Sequence, residues 1–387
     1  MRHQGGEPGR PTRAGPHAME LGFLEPLYRA ADPVATVYLD TTRGSADATH
    51  GIGRRWRALR AGLEGHGADE ATLRALDGAV GGATGVPGPQ GEALFASGGE
   101  LIAAYTLSRP PAEDRASWWP VADPIELVAD LDDTLAYVFV AADRSGADIH
   151  AYPENGGPSG ERHFNGATLH ISKVRGGGRR HEYDRRGTEG VWSDDAAQTV
   201  REVERAVDEI GAGVVFLGGD ERAAGMIRDR FSERTRRILV EVRAGGRGDR
   251  GAMVELRSAV EQGLRETAVA LRAGVVLDFL GDLEHPGLAV QGFADTAAAL
   301  RSGGVGRLLL SAGRRDEPTL WASTSDPLEL ARTRAELTEP GEALEAPASA
   351  LLLRAAQATR SAFTLLPESA DATNGAGALL RFSPVRG

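Results

Sequence analysis

Short apolar runs separated by glycine and proline fill the first third of the chain and predict a small domain of mixed strands and helices. Trp56, Leu59 and Leu63 are spaced three and four residues apart, which is the spacing of one helix face. The pair Gly98-Gly99 between two apolar runs favours the tight turn of a β-hairpin. The predicted elements are strands over 34–39, 92–97 and 101–107 and helices over 50–64 and 69–77. Residues 19–130 are therefore predicted to form an N-terminal α+β domain.

Apolar runs and helical stripes alternate in the middle of the chain, over residues 131–250. The continuous apolar run 135–142 is typical of a strand buried on both faces of a sheet. A stripe at helical spacing ends at Ile210, and Ser193 or Asp194 is predicted to cap its helix. Further strands are predicted over 147–152, 213–217 and 237–243, and a further helix over 220–231. This alternation predicts an α/β layer.

The pattern changes again after a glycine-rich stretch and indicates a third domain over residues 251–387. A long helix is predicted over 253–272, with Leu256, Val260 and Leu264 on one side. The remaining elements are helices over 294–301, 327–337 and 348–359 and strands over 307–311, 319–324 and 376–382. The whole chain is thus predicted to be an α/β protein of three domains.

Composition supports a globular protein with several domains. A chain of 387 residues suggests two or three domains, and 41% hydrophobic with 26% charged residues indicates a soluble protein. No apolar run approaches the ~20 residues that span a bilayer, so no membrane partner is expected. The absence of cysteine excludes disulfides and fits a cytoplasmic protein. Residues 1–18 lack an apolar leader and are predicted to be a disordered extension, with Met19 opening the folded part.

One segment departs from the acidic character of the chain, whose net charge is -11. Residues 171–186 contain six basic and two acidic residues, a local charge of +4 (6 − 2), and include the only lysine. Three consecutive glycines let the backbone of this predicted loop approach a target closely. Such a loop suggests contact with phosphate, and a merely solvated loop is the alternative. The candidate residues are Lys173, Arg175, Gly176, Gly177, Gly178, Arg179, Arg180 and His181.

Three stretches in a particular order carry a family resemblance. The first stretch is the middle-domain order of a strand hairpin, the glycine loop, a helix and then Val214–Asp220. The second is a helix, a glycine pair and a strand over 293–310, and the third is the closing strand over 375–382. Over about 131–387 the chain resembles the bacterial branch of the archaeal and eukaryotic class-1 release factor and Pelota superfamily, which includes the Balon-type ribosome hibernation factors. The resemblance implies a ribonuclease-H-like middle domain with a Gly-rich basic loop, and a C-terminal α/β sandwich like the last domain of Pelota.

The chain also departs from this family at the positions that carry chemistry. Release factors place Gly-Gly-Gln at the loop tip, where the glutamine holds a water against the peptidyl-tRNA ester. Here Gly178 is followed by Arg179, and no glutamine occurs between Gln90 and Gln198. A chain without cysteine also lacks the cysteine motif of stop-codon reading. We therefore expect no catalytic residues, no cofactor and no enzymatic activity.

The resemblance and the departures together predict a non-catalytic factor that binds the 70S ribosome. It would occupy the A site, with its loop against rRNA near the peptidyl transferase centre, and act in ribosome hibernation or stress protection. The resemblance also implies a translational GTPase such as EF-Tu as a partner. One alternative is a peptidyl-tRNA hydrolase, release or rescue factor whose loop uses another residue. A third possibility is a ribonuclease-H-like nuclease.

The other polar and aromatic positions give weaker indications of a functional site. No histidine and carboxylate spacing matches a metal motif, so no metal site is predicted. The turn Gly218–Asp220 is either a ligand-binding glycine turn or a plain strand-to-helix turn with Asp220 at the helix N-terminus. Asp143 ends a central strand, where nucleases hold a metal, but its neighbours are ordinary turn residues. Trp118 and Trp119 either stack on a base or cover the edge of the core.

The third domain is predicted to be an interaction platform, because its polar residues show no converging acid–base set. Its candidate contacts with rRNA or a partner are Arg301, Arg307, Arg314 and Arg315. The alternative is that these arginines only solubilise the protein. Since the middle domain has its own buried strands, we expect it to stay folded without residues 251–387.

Overall fold

The computed structural model describes residues 19–43, 47–81, 89–132, 134–143, 146–153, 170–175, 185–242, 250–285, 287–313, 317–367, 370 and 375–381. For 170–175, 185–195 and 250–257 it describes the backbone alone. The described chain forms two compact units. The larger unit takes in residues 19–132 and 272–381, and the smaller unit the described residues from 134 to 271.

The strands are β1 (Met19–Glu20), β2 (Val34–Asp40), β3 (Gly91–Ser97), β4 (Glu100–Leu107), β5 (Arg115–Trp119), β6 (Tyr137–Asp143), β7 (Gly146–Tyr152), β8 (His170–Arg175), β9 (Val214–Gly219), β10 (Leu239–Val242), β11 (Ala289–Gln291), β12 (Val305–Leu310), β13 (Thr319–Ser323), β14 (Leu330–Ala331), β15 (Ala343–Pro347), β16 (Ala362–Leu365) and β17 (Ala376–Leu380).

The helices are α1 (Glu25–Tyr28), α2 (Ala48–Gly65), α3 (Glu70–Asp77), α4 (Ile125–Asp132), α5 (Arg185–Ile210), α6 (Glu221–Arg228), α7 (Glu233–Arg237), α8 (Arg250–Leu283), α9 (Phe293–Arg301) and α10 (Ala348–Ala358). No helix in the described ranges is long and apolar enough to cross a membrane.

The first sheet of the larger unit is antiparallel, in the order β4-β3-β2-β5. Helices α2 and α3 cover one face, where Trp56 and Leu63 pack in a cluster with Val37. Gly98 and Gly99 both have positive φ angles, 57° and 83°, as the tight β3–β4 turn requires. The predicted hairpin and both predicted helices of this region are therefore confirmed.

The second sheet of the larger unit joins the beginning and the end of the described chain, in the order β1-β16-β12-β17-β11. Met19 in β1 pairs with Phe363 in β16. One hydrophobic core contains Tyr38 and Phe95 from the first sheet together with Leu351 and Phe363. The predicted N-terminal and C-terminal domains thus form a single unit, because each buries its apolar face against the other.

The smaller unit is a layered α/β structure, as predicted. Its sheet has the order β10-β9-β6-β7-β8, with β6, β9 and β10 parallel and β7 antiparallel to both neighbours. Val203 of α5 packs with Val138 and Ile149 on one face. On the other face, Val260 of α8 packs in a cluster with Phe216. The fold is therefore mixed α/β with several sheets.

Helix α8 runs past its predicted end at 272 and contributes to both units, with the division at 271/272. Val260 and Ala268 cover the face of the smaller sheet that carries Phe139 and Phe216. Removal of residues 251–387 would expose this apolar face, which argues against the expectation that the middle domain folds without them. That expectation stays a prediction.

Two predicted helices also differ from the structure. Residues 327–337 contain β14 and one 3-10 turn, because the buried Leu330 pairs with Ala322 of β13. Helix α5 begins at Arg185, so Ser193 and Asp194 lie inside it instead of capping it. In the first of these places, pairing with the strand β13 overrides the local helical pattern.

Gly219 ends β9 with a φ of 115°, and a Cβ atom there would overlap the carbonyl oxygen of Ala142. We expect Gly219→Ala to lower the free energy of unfolding by at least about 3 kcal/mol, through backbone strain and overlap. Chemical denaturation followed by circular dichroism measures this loss.

Gly225 provides the matched control, because it lies within α6 and a Cβ atom there meets only the end of the Arg228 side chain at 3.7 Å. Gly225→Ala should leave stability unchanged or raise it by about 0.5–1 kcal/mol. Equal effects of the two substitutions would show that the Gly219 conformation is not required.

Candidate functional site

The basic segment leaves the fold through an edge strand. Lys173 and Arg175 lie in β8, which among the described strands pairs with β7 alone and stands last in the order of the smaller sheet. In the register of this pair, Lys173 lies opposite Asp148 and Arg175 opposite Gly146. The sequence indicated a loop over 171–186, but the backbone is a strand through Arg175, and α5 begins at Arg185.

The remaining predicted loop residues lie outside the described residues. They are Gly176, Gly177, Gly178, Arg179, Arg180 and His181. Their assignment as an rRNA-binding loop therefore stays a prediction.

The carboxyl ends of four described strands lie at one edge of the smaller sheet, which we call the carboxyl edge. β6 ends at Asp143, β8 at Arg175, β9 at Gly219 and β10 at Val242, and these strands run in the same direction. Arg175 therefore lies at the same edge of the sheet as the ends of β6 and β9, with β7 between β8 and β6. In α/β sheets this edge is where ligands commonly bind.

The glycine turn at the carboxyl edge is used to start helix α6. The backbone N–H of Asp220 donates to the carbonyl of Ala142 at 2.8 Å. The Asp220 carboxylate accepts hydrogen bonds from the backbone N–H groups of Arg222 and Ala223, both at 3.1 Å. Because this carboxylate already satisfies the first amides of α6, the structure favours the plain strand-to-helix turn over a ligand-binding turn.

Stacked rings stiffen the strand that supports β8. Tyr137 and Tyr152 are register partners, and their ring centroids are 4.5 Å apart with planes at 13°. Phe139 and His150 pair in the same way at 5.8 Å. Such cross-strand pairs stabilise a sheet, so they fix β7 against β6. On its other side, β7 pairs with β8, the strand that carries Lys173 and Arg175.

The candidate arginines of the last domain have different environments. Arg301 is exposed, and its guanidinium donates to the carbonyl of Leu330. Arg307 is only 5% exposed and donates to the Thr364 hydroxyl at 2.6 Å. Burial lowers the pKa of Arg307, although the nearby Asp132 opposes that shift.

The prediction that Arg307 contacts rRNA or a partner is therefore wrong, because its guanidinium is buried inside the larger unit. The burial reflects its place on β12, in the middle of the second sheet. Arg314 and Arg315 lie outside the described residues.

The sequence missed one buried ionic cluster. The carboxylate of Asp132 accepts hydrogen bonds from Arg272 Nε at 3.2 Å and from the backbone N–H of Leu365 at 3.0 Å. These partners lie 140 and 233 positions away along the chain. No local pattern indicates a pairing over such separations, so only the fold reveals it.

The remaining sequence alternatives are partly decided by packing. Trp118 packs against the core beneath α2 and α3, which supports covering of the core edge, and Trp119 is half-buried. Within the part of the chain that the structure describes, no three histidine or carboxylate side chains are arranged to hold a metal ion.

A family comparison matches the region built around this site. Residues 136–285 match the model of the bacterial archaeo-eukaryotic release factor family 2. The matched segment extends from β6 through α8 and contains the basic segment and the carboxyl edge. Over these residues, the resemblance to the bacterial branch of the release factor and Pelota superfamily is confirmed.

Among curated proteins, the chain is similar to the uncharacterized protein Rv2629 of Mycobacterium tuberculosis and to the matching protein of a second strain. The identity with Rv2629 is 29% over 220 residues, which is 56% of this chain and 57% of the relative. The chain thus spans little more than half the length of the curated relatives it matches.

Solved structures of translation factors are also similar at low identity. The crystal structure of the archaeal termination factor aRF1 is 18% identical, with a TM-score of 0.23 over 93% of this chain and 96% of that chain. Archaeal Pelota, from a model of ribosome-bound Pelota and ABCE1, is 17% identical with a TM-score of 0.40 over 95% of each. Saccharomyces cerevisiae Dom34, described as interacting with Hbs1, is 10% identical with a TM-score of 0.39 over 76% of this chain and 81% of that chain.

The cap on α6 generates a testable prediction. Asp220→Ala should lower the free energy of unfolding by about 1 kcal/mol, because two backbone N–H groups lose their acceptor. Asp220→Asn keeps an acceptor oxygen and should stay within a few tenths of a kcal/mol of the native protein. Urea denaturation of both variants measures the difference, and equal losses would show that the charge matters more than the cap.

Proposed function

We propose that this protein is a ribosome-binding translation factor of the release-factor and Pelota type that occupies the A site without catalysing peptide release. One observation carries the proposal. In a chain with a net charge of -11, a glycine-containing basic segment with a local charge of +4 begins on β8 at the carboxyl edge. That strand lies within the residues that match the release factor family model.

The charge distribution supports a phosphate-rich partner. An acidic protein is repelled by RNA over most of its surface, so binding has to concentrate where positive charge is gathered. Lys173 and Arg175 lie two residues apart on β8, and the three glycines follow directly. Nucleic-acid binding of this kind is driven by release of counterions from phosphates. We therefore assign the rRNA near the peptidyl transferase centre as the target of this segment.

The absence of catalysis is supported by the residue types in the segment. Hydrolysis of a peptidyl-tRNA ester needs a group that positions a water molecule against the ester carbonyl. Gly178 is followed by Arg179, and neither glycine nor arginine is an effective base at neutral pH. The positions next to the glycines thus provide cations for binding but no glutamine to position a water.

A factor that fills the A site without decoding or releasing keeps the ribosome idle. We therefore place the role of this protein in ribosome hibernation or stress protection. We also propose that a translational GTPase such as EF-Tu accompanies it, as the resemblance to the release factor and Pelota superfamily implies. The family match of residues 136–285 supports the translational context of both statements.

Binding to the ribosome should depend on the basic segment. We expect the native protein to sediment with 70S particles, and the quadruple alanine variant at Lys173, Arg175, Arg179 and Arg180 to bind at least about ten-fold more weakly. The slope of log affinity against log salt should fall by about three, because each lost phosphate contact removes 0.7–0.9. Pelleting with purified 70S ribosomes over a salt series measures both quantities.

A matched control removes the same charge elsewhere on the smaller unit. Arg201, Arg234, Arg237 and Arg265 are all exposed, and their replacement by alanine also removes four positive charges. This control should keep most of the affinity and the salt slope. Equal weakening by both quadruple variants would mean that overall charge, and not the basic segment, determines binding.

Peptide release should be absent. Ribosomes carrying labelled peptidyl-tRNA should retain their peptide when the purified protein is added in excess, because no glutamine follows the three glycines to position a water. Turnover of several ribosomes per protein would instead identify a release or rescue factor, and His181 would then be the first residue to replace. Free protein that cleaves RNA with a metal ion, without co-sedimentation, would identify a nuclease.

A further inference from the structure

Helix α8 presents an apolar side to solvent. Among the described residues, the two most exposed large apolar side chains are Leu277 and Val269, at 69% and 60%. Ala273 lies midway between them in α8, so helical periodicity alone places all three on one side of this helix. A helix on a protein surface ordinarily turns polar residues outward. We call the exposed residues Val269, Ala270, Ala273, Gly274, Leu277 and Gly281 the apolar stripe.

The glycines of α8 differ in what an added side chain would meet. A Cβ atom at Gly263 would lie 2.6 Å from a ring carbon of Phe216, so internal packing requires glycine there. A Cβ atom at Gly274 or Gly281 would meet no atom within 4 Å. Because glycine is less favourable than alanine within a helix, packing among the described residues does not account for these two. Small residues do allow a second helix to approach closely, since the distance between helices depends on the side chains at their contact.

Carboxylates border the apolar stripe. Glu266 precedes Val269 by about one turn, Asp278 follows Leu277, and Glu284 directly follows the end of α8; all three carboxylates are exposed. Among the described residues, none of these three acidic side chains has an ion-pair partner. Arg265 is exposed beside Glu266, so the border carries a local charge of -2 (1 − 3). A basic partner is therefore favoured at this side of α8.

We propose that the apolar stripe is the docking site for an amphipathic helix of a partner protein, with basic residues on both sides of its apolar face. Val269 and Leu277 pack into that apolar face, and the two helices approach closely at Gly274 and Gly281. The basic residues of the partner pair with the carboxylates of the border.

The charge of the border argues against other occupants. A second copy of α8 would bring carboxylates against carboxylates, and like charges at an interface oppose association. Nucleic acid is disfavoured by the same negative charge. The inference does not depend on ribosome binding.

A helical peptide of leucine and lysine is a suitable probe, because it combines an apolar face with basic borders. We expect the native protein to bind the labelled peptide, and Leu277→Ser to bind it at least about ten-fold more weakly, since an anchoring side chain is truncated. A peptide of equal length with glutamate in place of lysine should also bind at least about ten-fold more weakly. Titrations followed by fluorescence anisotropy measure these affinities.

Gly274→Gln separates docking from folding. Glutamine favours a helix more than glycine does, and its Cβ atom meets no other atom, so the melting temperature should not fall. The added side chain blocks close approach, so the affinity for the leucine and lysine peptide should fall at least about ten-fold. Gly62→Gln is the matched control, because Gly62 is exposed in α2 and a Cβ atom there also meets nothing within 4 Å. This control should keep the native affinity.

Three outcomes would overturn the proposal. The first is no binding of the leucine and lysine peptide by the native protein, or equal binding by Gly274→Gln and Gly62→Gln. The second is equal affinity for the lysine and glutamate peptides, which would exclude a basic partner. The third is self-association of the native protein in sedimentation velocity that Gly274→Gln abolishes, which would make a second copy the occupant.

Discussion

Burial of apolar surface between the beginning and the end of the described chain is the constraint on which the rest of the structure depends. Tyr38 and Phe95 from the first sheet lie in one core with Leu351 and Phe363, and none of the four has appreciable exposed surface. The first two residues and the last two are separated by more than two hundred positions along the chain, so neither part is complete without the other. Along the sequence, the residues of the smaller unit consequently lie between two parts of the larger unit.

Buried polar groups give this apolar core a particular arrangement. The Tyr38 hydroxyl donates to the carbonyl of Asp123 at 2.9 Å and accepts from the backbone N–H of Leu127. Burial raises the pKa of Tyr38 well above its ordinary value, so the phenol stays a neutral donor. Arg354 on α10 donates to the carbonyls of Ser323 and Thr324, at 2.8 and 2.7 Å. Apolar burial supplies the stability, and these hydrogen bonds select which strand ends and helices meet.

In the smaller unit, the well-packed central strands and the basic residues lie in different parts of the sheet. Its sheet is covered by α5 and α6 on one face and by α8 on the other, so the central strands are held firmly. The basic residues lie on the outermost strand, next to the stacked pairs of β6 and β7. The backbone positions of Lys173 and Arg175 are thus separated from the central strands β6 and β9 by the intervening strand β7.

The sequence by itself determined the elements whose pattern is local. The β3–β4 hairpin follows from Gly98-Gly99, the helices α2 and α3 from their apolar spacing, and the α/β layering from alternating runs. The basic segment was also evident, because charge is a property of composition. These features depend on neighbours a few residues apart, whose periodicity is visible in one dimension.

Only the tertiary structure decided the features that depend on distant partners. It placed Lys173 and Arg175 on a strand, buried Arg307, and joined the predicted first and third domains in one core. The Asp132 cluster was likewise invisible, since Arg272 and Leu365 lie 140 and 233 positions away. An arginine on a solvated surface and an arginine beside a buried carboxylate look alike in the sequence. Burial and register distinguish them, and both arise only when remote segments pack together.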